Sequence, residues 1–289
     1  METPPLRVDP SNEAQLAAWD GTEGAYWATH ADRFDRSLAV HNTAFMVAAA
    51  IETDERVLDV GCGTGLTTRD AAKRAVDGSA LGVDLSSAML EIARQRAAED
   101  GTTNAAFLQA DAQVHPFAQS AFDIVISRTA AMFFGDQASA FANLRRSLRD
   151  GGRLVLLTWQ PLGGNEWLRA IATALSPAGA PRLPPPGAGP FSLSDPGRVR
   201  QLLGHAGFGD VELQSTRGPM WFGDDADDAT TFILGLQGWM LDGATHTERS
   251  RATEALRETC VAHATNDGVT FESAAWITTA RAEEVRTPR

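Results

Sequence analysis

Three carboxylates and one glycine loop are the residues whose types and spacing can do chemistry here. Gly61, Gly63 and Gly65 lie in Val57-Leu58-Asp59-Val60-Gly61-Cys62-Gly63-Thr64-Gly65, between an apolar run and a helix-like stretch. Glycines let backbone approach a ligand closely, and a helix N-terminus adds unpaired N–H groups and positive potential. Such a loop is shared by dinucleotide enzymes and many plain turns, so its spacing decides. The dinucleotide fingerprint G-x-G-x-x-G needs its third glycine where this chain has Leu66; the glycine comes one residue early, at Gly65. The loop is short by one residue for a pyrophosphate, which disfavours a dehydrogenase. It also carries an acid, Asp59, at the end of the run before it.

Asp84 ends the next apolar run, about 20 residues beyond the loop, where an acid can accept hydrogen bonds from ribose hydroxyls. Asp111 ends a third run and is placed to face an adenine amino group. Taken singly, each acid could be capping the helix that follows it. Together with the loop, at the carboxyl ends of neighbouring strands, they point to an adenosine-containing ligand.

The elements that must position these groups are legible as alternating patterns. Apolar runs at 56–60, 80–84, 106–111, 122–127, 153–159, 211–213 and 274–280 read as seven strands. Helical stretches fall between them: from the loop to Val76, Ala88 to Glu99 with Ser86 as N-cap, and Gln137 to Leu148, closed by a turn at Asp150-Gly151-Gly152. Strands alternating with helices of this length predict an α/β, doubly wound, mostly parallel sheet of seven strands. Phe122 to Ser127 is almost wholly apolar, as expected of a strand covered on both faces.

Ala14 to Ala50 reads as helical, with Leu16, Trp19, Tyr26, Phe34, Leu38, Phe45 and Met46 at near-helical spacing. The regular alternation breaks after Trp159. Ser176 to Pro190, rich in Pro, Gly and Ala, reads as a loop or lid, and Asp195-Pro196 is a helix start. Helices Ala226 to Leu241 and Thr247 to Ala264 follow as a cap. The expected organisation is an N-terminal helical segment, 1–50, covering the site of an α/β domain, 51–289, with cap insertions at about 160–195 and 223–266.

Composition narrows the function classes. A net charge of −12 and a pI near 4.9 argue against nucleic acid as partner, since phosphate recognition needs a cationic footprint. Two cysteines, Cys62 and Cys260, cannot build a disulfide framework or a cysteine metal cluster. The longest apolar stretch, around Ala44 to Ile51, is too short to span a bilayer, and Met1 to Pro10 has no signal-peptide core. The expectation is a cytoplasmic enzyme with a small-molecule partner and no stable membrane insertion; homodimerisation stays open.

The segments E-R-V-L-D-V-G-C-G-T-G, G-V-D-L-S, Q-A-D-A-Q, F-D-I-V-I-S-R and D-G-G-R-L-V-L resemble the class I S-adenosylmethionine-dependent methyltransferases. The likeness is to the branch with the ubiquinone and menaquinone C-methyltransferases, and it covers Arg56 to Trp159. It implies a Rossmann-like methyltransferase fold and S-adenosylmethionine as cofactor. It places Asp59, Gly61, Cys62, Gly63 and Gly65 around the methionine part, Asp84 on the ribose, and Leu85 and Met89 against adenine. Asp111 and Ala112 fall at the adenine edge, Ser127 and Arg128 beside the methyl donor, and Trp27 or Tyr26 over the cofactor.

Methyl transfer is an in-line displacement that needs alignment and exclusion of water, with a general base optional. The candidate bases are His30 and His41, both in the N-terminal segment. Phe133, Trp159, Trp221 and Trp239 are candidate walls of an apolar or aromatic substrate pocket. The fourth strand ends Ser127-Arg128-Thr129-Ala130, not in the Asn/Asp-Pro-Pro-aromatic motif of enzymes that methylate exocyclic amines, and no ligand cluster suits a metal-dependent catechol enzyme. Two alternatives remain: an enzyme of this fold catalysing isomerisation or cyclisation, and a non-catalytic binding protein. The intact loop and three acids count against the second. The methyl acceptor and its attacking atom are not legible.

Overall fold

A computed structural model describes residues 6–176 and 179–284. Its sheet is built from β1 (Arg56–Val60), β2 (Ser79–Asp84), β3 (Ala105–Gln109), β4 (Phe122–Arg128), β5 (Leu148–Trp159), β6 (Phe208–Gly223), β7 (Ala264–Thr265) and β8 (Gly268–Ala282). The order is β3-β2-β1-β4-β5-β8-β6, seven strands on one path, with the two-residue β7 paired to β8. The first five run parallel, while β8 lies antiparallel between β5 and β6. This is the doubly wound α/β sheet that the alternation predicts.

Burial explains why the central strands read as unbroken apolar runs. Val57, Leu58, Ile124, Val125 and Ile126 in β1 and β4 have no exposed surface, and Leu154 to Leu157 in β5 are at most 1% exposed. Helices cover both faces: α5 (Leu66–Arg74), α6 (Ser87–Glu99), α7 (Gln137–Ser147), α8 (Glu166–Ala174) and α9 (Pro196–His205). The chain leaves β1 toward β2 and β3, then returns to place β4 on the other side of β1. That reversal is a topological switch point, and a crevice opens there beyond the carboxyl ends of the strands.

The N-terminal segment is helical, as its spacing predicts, but broken into α1 (Glu13–Trp19), α2 (Thr22–Thr29), α3 (Ala31–Ser37) and α4 (Ala39–Ala49). Asp20-Gly21, His30 and Leu38 mark the breaks, which let short helices bend over the crevice. The C-terminal cap is α10 (Ala226–Gln237) and α11 (His246–Ala262), close to their expected bounds. Ser86 and Asp195 cap α6 and α9 as expected, accepting from the Met89 and Arg198 backbone N–H groups.

Three details differ from the pattern-based expectation, while the described part of Ser176 to Pro190 is largely the expected loop. The turn at Asp150-Gly151-Gly152 lies inside β5, which starts at Leu148 and shifts register against β4 there, with Gly151 at φ 71°. β6 runs to Gly223 instead of stopping at Leu213, and takes up Met220, Trp221 and Phe222. Its polar residues are exposed because it is an edge strand, so its sequence lacks the continuous apolar run of an inner strand. α8 buries Trp167, Leu168, Ile171 and Ala172 in a stretch read only as insertion. Within Ser176 to Pro190, residues 177–178 lie outside the described residues; Ala180 to Ala188 are without helix or strand, and a 3-10 turn follows at Gly189–Phe191. Among the described residues no helix is long and apolar enough to cross a membrane.

Candidate active site

A cleft lies at the switch point, with an empty volume of about 1010 Å³ that includes space open to solvent. Its floor is the loop Gly61 to Thr64, with Asp84, Leu85 and Met89 on one side and Arg128, Thr129 and Ala130 on the other. Ala110, Asp111 and Ala112 close the far end. Trp19, Trp27, Phe34 and Leu38 from the N-terminal helices form the roof, with Phe133 and Phe134.

The loop owes its shape to its glycines. Gly61 has φ 67°, and a Cβ there would lie 2.1 Å from the Ala130 Cβ. Gly63, at φ 54°, turns its N–H to Asp84 Oδ2 at 2.8 Å. Gly65 is the N-cap of α5 and does not line the cleft; a Cβ there would meet the Phe107 ring and Ala93 at 2.8 Å. Its place is to let the loop pack onto β3 and α6.

Asp59 also lies outside the lining, fully buried behind the loop. Its Oδ2 accepts hydrogen bonds from the Thr67 and Thr68 hydroxyls, both at 2.6 Å, which fastens β1 to α5. Burial pushes its pKa up to about 6, against the pull of the two threonines and of Arg128. Burial likewise raises the Cys62 thiol, next to Asp84 and Asp59, so Cys62 is a neutral wall residue and not a nucleophile.

Asp84 lines the cleft. Burial raises its pKa, while the N–H groups of Ser86 and Gly63 hold its carboxylate in place. Asp111 also lines the cleft, and its carboxylate is engaged by the protein itself. Its Oδ1 accepts from Asn12 Nδ2 (2.8 Å) and the Gln113 N–H (2.9 Å), and its Oδ2 accepts from the Asp9 N–H (3.0 Å). The carboxylate thus fastens the N-terminal segment to the sheet, keeping on Oδ2 one lone pair for a ligand. Asn12 continues the link by accepting from the Gly135 N–H at 2.7 Å.

Of the other residues singled out by sequence, Trp27, Leu85, Met89, Ala112, Arg128 and Phe133 line the cleft. The remainder do not. Ser127 is buried and donates to the Val60 carbonyl. His30 stacks on Tyr26, and Tyr26 donates to the Phe232 carbonyl, tying α2 to the cap. His41 is fully buried, with Nε2 2.7 Å from Ser273 Oγ. That hydroxyl spends its proton on the Gly218 carbonyl, so Nε2 carries the ring proton and the bare Nδ1 has no partner among the described residues. Burial lowers this histidine to about 4. Neither histidine touches the cleft, so neither is positioned as a base there.

Trp159 packs edge-on to His41, Trp221 lies beneath Arg33 and Arg36, and Trp239 is 52% exposed. These three belong to cap packing and surface, and the cleft walls come from elsewhere. Trp19, Phe34 and Leu38, marked in the sequence only by helical spacing, are roof residues; Asn12, Gln15, Asp35 and Phe134 carried no signal at all. Trp27 stacks on Phe34 with ring centres 3.5 Å apart, and Trp19 meets Trp27 and Phe133 edge-on.

Residues 57–152 match the family described as a methyltransferase domain. An uncharacterized protein of Mycobacterium tuberculosis is 31% identical over 211 residues, covering 72% of this chain and 73% of the relative. A demethylmenaquinone methyltransferase of Thermus thermophilus is 38% identical over 107 residues, 37% of this chain and 48% of that one. The crystal structure of the YcgJ protein of Bacillus subtilis superposes with a TM-score of 0.57 at 21% identity, covering 85% of this chain and 99% of that one. This chain belongs to the class I S-adenosylmethionine-dependent methyltransferases and is an enzyme of that family.

Proposed function

We propose that the chain transfers a methyl group from S-adenosylmethionine to a small-molecule acceptor held beneath the N-terminal helices. The observation that carries this reading is the cleft at the switch point, where the glycine loop, Asp84, Asp111 and Arg128 meet under an aromatic roof. Its residues suit the donor. Asp84 presents a carboxylate for the ribose, and Leu85 and Met89 offer an apolar face for the adenine. Arg128 Nη1 is buried, lacks a hydrogen-bond partner among the described residues and suits an anionic group. When bound, S-adenosylmethionine supplies an electrophilic methyl carbon on a sulfonium.

The chain's own contribution is binding, alignment and dryness. The Gly61–Thr64 loop and Asp84 hold the donor side. Trp19, Trp27, Phe34 and Phe133 cover it and keep water from the reacting atoms. The titratable carboxylates of the lining are Asp35, Asp84 and Asp111, each held by protein donors. This favours an acceptor that arrives as a nucleophile over one needing strong general-base help.

A second cleft shares Gln15, Phe133 and Phe134 with the first and continues past Met132, Gln137, Ser192, Arg198 and Leu202. Its cavity of about 500 Å³ supports an acceptor of metabolite size. The acidic balance of the chain and the relative named a demethylmenaquinone methyltransferase favour the same substrate class. Calorimetric titration with S-adenosylmethionine and with NAD tests the cofactor; no binding of the former at millimolar concentration refutes the proposal. A metabolite screen with isotopically labelled donor, read by mass spectrometry, tests the acceptor class.

A further inference from the structure

Arg128 is the one cationic side chain among the residues lining the cleft, and only 12% of its side chain is exposed. Its two terminal nitrogens have different fates. Nη2 points to Asp35 Oδ1 at 3.4 Å, whereas Nη1 is buried with no hydrogen-bond partner among the described residues. A guanidinium carries five donors and never loses its charge, so a buried free nitrogen on it is costly unless a ligand completes it.

Asp35 is the second half of the arrangement. It sits on α3, in the roof, and its Oδ2 accepts from Arg96 Nη1 at 3.1 Å. Arg96 also reaches Asp32 at 2.6 Å, so α3 is held to α6 and β4 through this group of charges. The roof helix is therefore fastened to the sheet through a guanidinium that belongs to the cleft lining and keeps one terminal nitrogen without a partner among the described residues.

Strand order says which end of the donor meets Arg128. Asp111 lies beyond β3, Asp84 ends β2, the glycine loop follows β1, and Arg128 ends β4. In the proposed reading adenine, ribose and sulfonium occupy the first three positions in that order. The remaining end of the donor, its amino-acid group, falls at the fourth. From this geometry we infer that Arg128 reads the donor's α-carboxylate through Nη1, and that the reading is coupled through Asp35 to closure of α3. The inference rests on the proposed function and adds to it a specificity contact and a device for ordered binding: the roof closes on a donor with an intact amino-acid end.

S-Adenosylhomocysteine carries that carboxylate, and 5′-methylthioadenosine has the same adenosine and sulfur but lacks the whole amino-acid group, so it is the effect of Arg128→Gln on the preference that isolates the carboxylate contact. Both can be titrated by quenching of tryptophan fluorescence, since Trp19 and Trp27 line the cleft. Wild-type protein should bind S-adenosylhomocysteine roughly 10- to 100-fold tighter than 5′-methylthioadenosine, the range of one charge-assisted hydrogen bond. Arg128→Gln should lose that preference while keeping its affinity for 5′-methylthioadenosine, which also shows that the variant is folded. Asp35→Asn should keep the preference, but hydrogen exchange of 31–37 should no longer slow when S-adenosylhomocysteine binds. A preference that survives in Arg128→Gln, or exchange in α3 slowed equally by both ligands in wild type, overturns the inference. Failure of wild type to bind either ligand refutes the cofactor reading itself.

Discussion

His41 offers a test of burial that is independent of ligand. It is fully buried and neutral, with a folded pKa near 4 against an ordinary 6.5. The unfolded chain therefore takes up this proton first. The histidine's contribution to stability is intact above 6.5 and is lost as the pH falls toward 4. Going from about pH 8 to about pH 5, the linkage relation gives a loss of about 2 kcal/mol for this one side chain. Asp59 acts with the opposite sign. Its pKa is raised from 3.8 to about 6, so the folded state binds its proton first and gains stability as the pH falls through 6. The whole-protein pH curve thus mixes opposing terms, and only a difference isolates His41.

His41→Gln keeps an amide donor for Ser273 and removes the titration. Urea unfolding of both proteins at each pH should show the variant less stable near pH 8, with the gap shrinking by roughly 2 kcal/mol near pH 5. A gap constant within about 0.5 kcal/mol would refute the reasoning, because it would mean that the ring can charge in place at little cost.

Three further substitutions test the site. Asp84→Ala should weaken S-adenosylmethionine binding by about 10- to 100-fold in calorimetry; unchanged affinity would show that the ribose assignment is wrong. Gly61→Ala places a methyl 2.1 Å from the Ala130 Cβ on a backbone at φ 67°, so its thermal unfolding midpoint should drop. The positive φ alone costs about 1–2 kcal/mol, and a wild-type midpoint would count against the close approach. Asn12→Ala removes the bonds to Asp111 and Gly135. It should cost about 1–3 kcal/mol and speed hydrogen exchange over 9–19, whereas unaltered exchange would mean that the segment is held by other contacts.

Motif-bearing positions were readable where local geometry demands a residue type. Gly61 and Gly63 need positive φ, Ser86 and Asp195 need a cap oxygen, and β1, β4 and β5 need apolar side chains on both faces. Positions whose partners are far along the chain were not readable. Asn12 meets Asp111 across 99 residues, and Asp35 meets Arg128 across 93, so no local spacing records either pair. Aromatic residues misled for a related reason. Trp159 and Trp221 have the composition of a pocket wall, but whether a ring faces a cleft or a packed interior is a tertiary fact.

The sequence by itself determined the alternation of strands and helices, the glycine loop and the strand-end acids, because those follow from backbone geometry and burial within a few residues. Tertiary structure alone decided what the acids do. Asp59 turns to Thr67 and Thr68 behind the loop, Asp111 anchors the N-terminal segment, and Asp84 remains at the cleft wall. A carboxylate's role is set by the donors that reach it, and in a folded chain most of those arrive from distant segments.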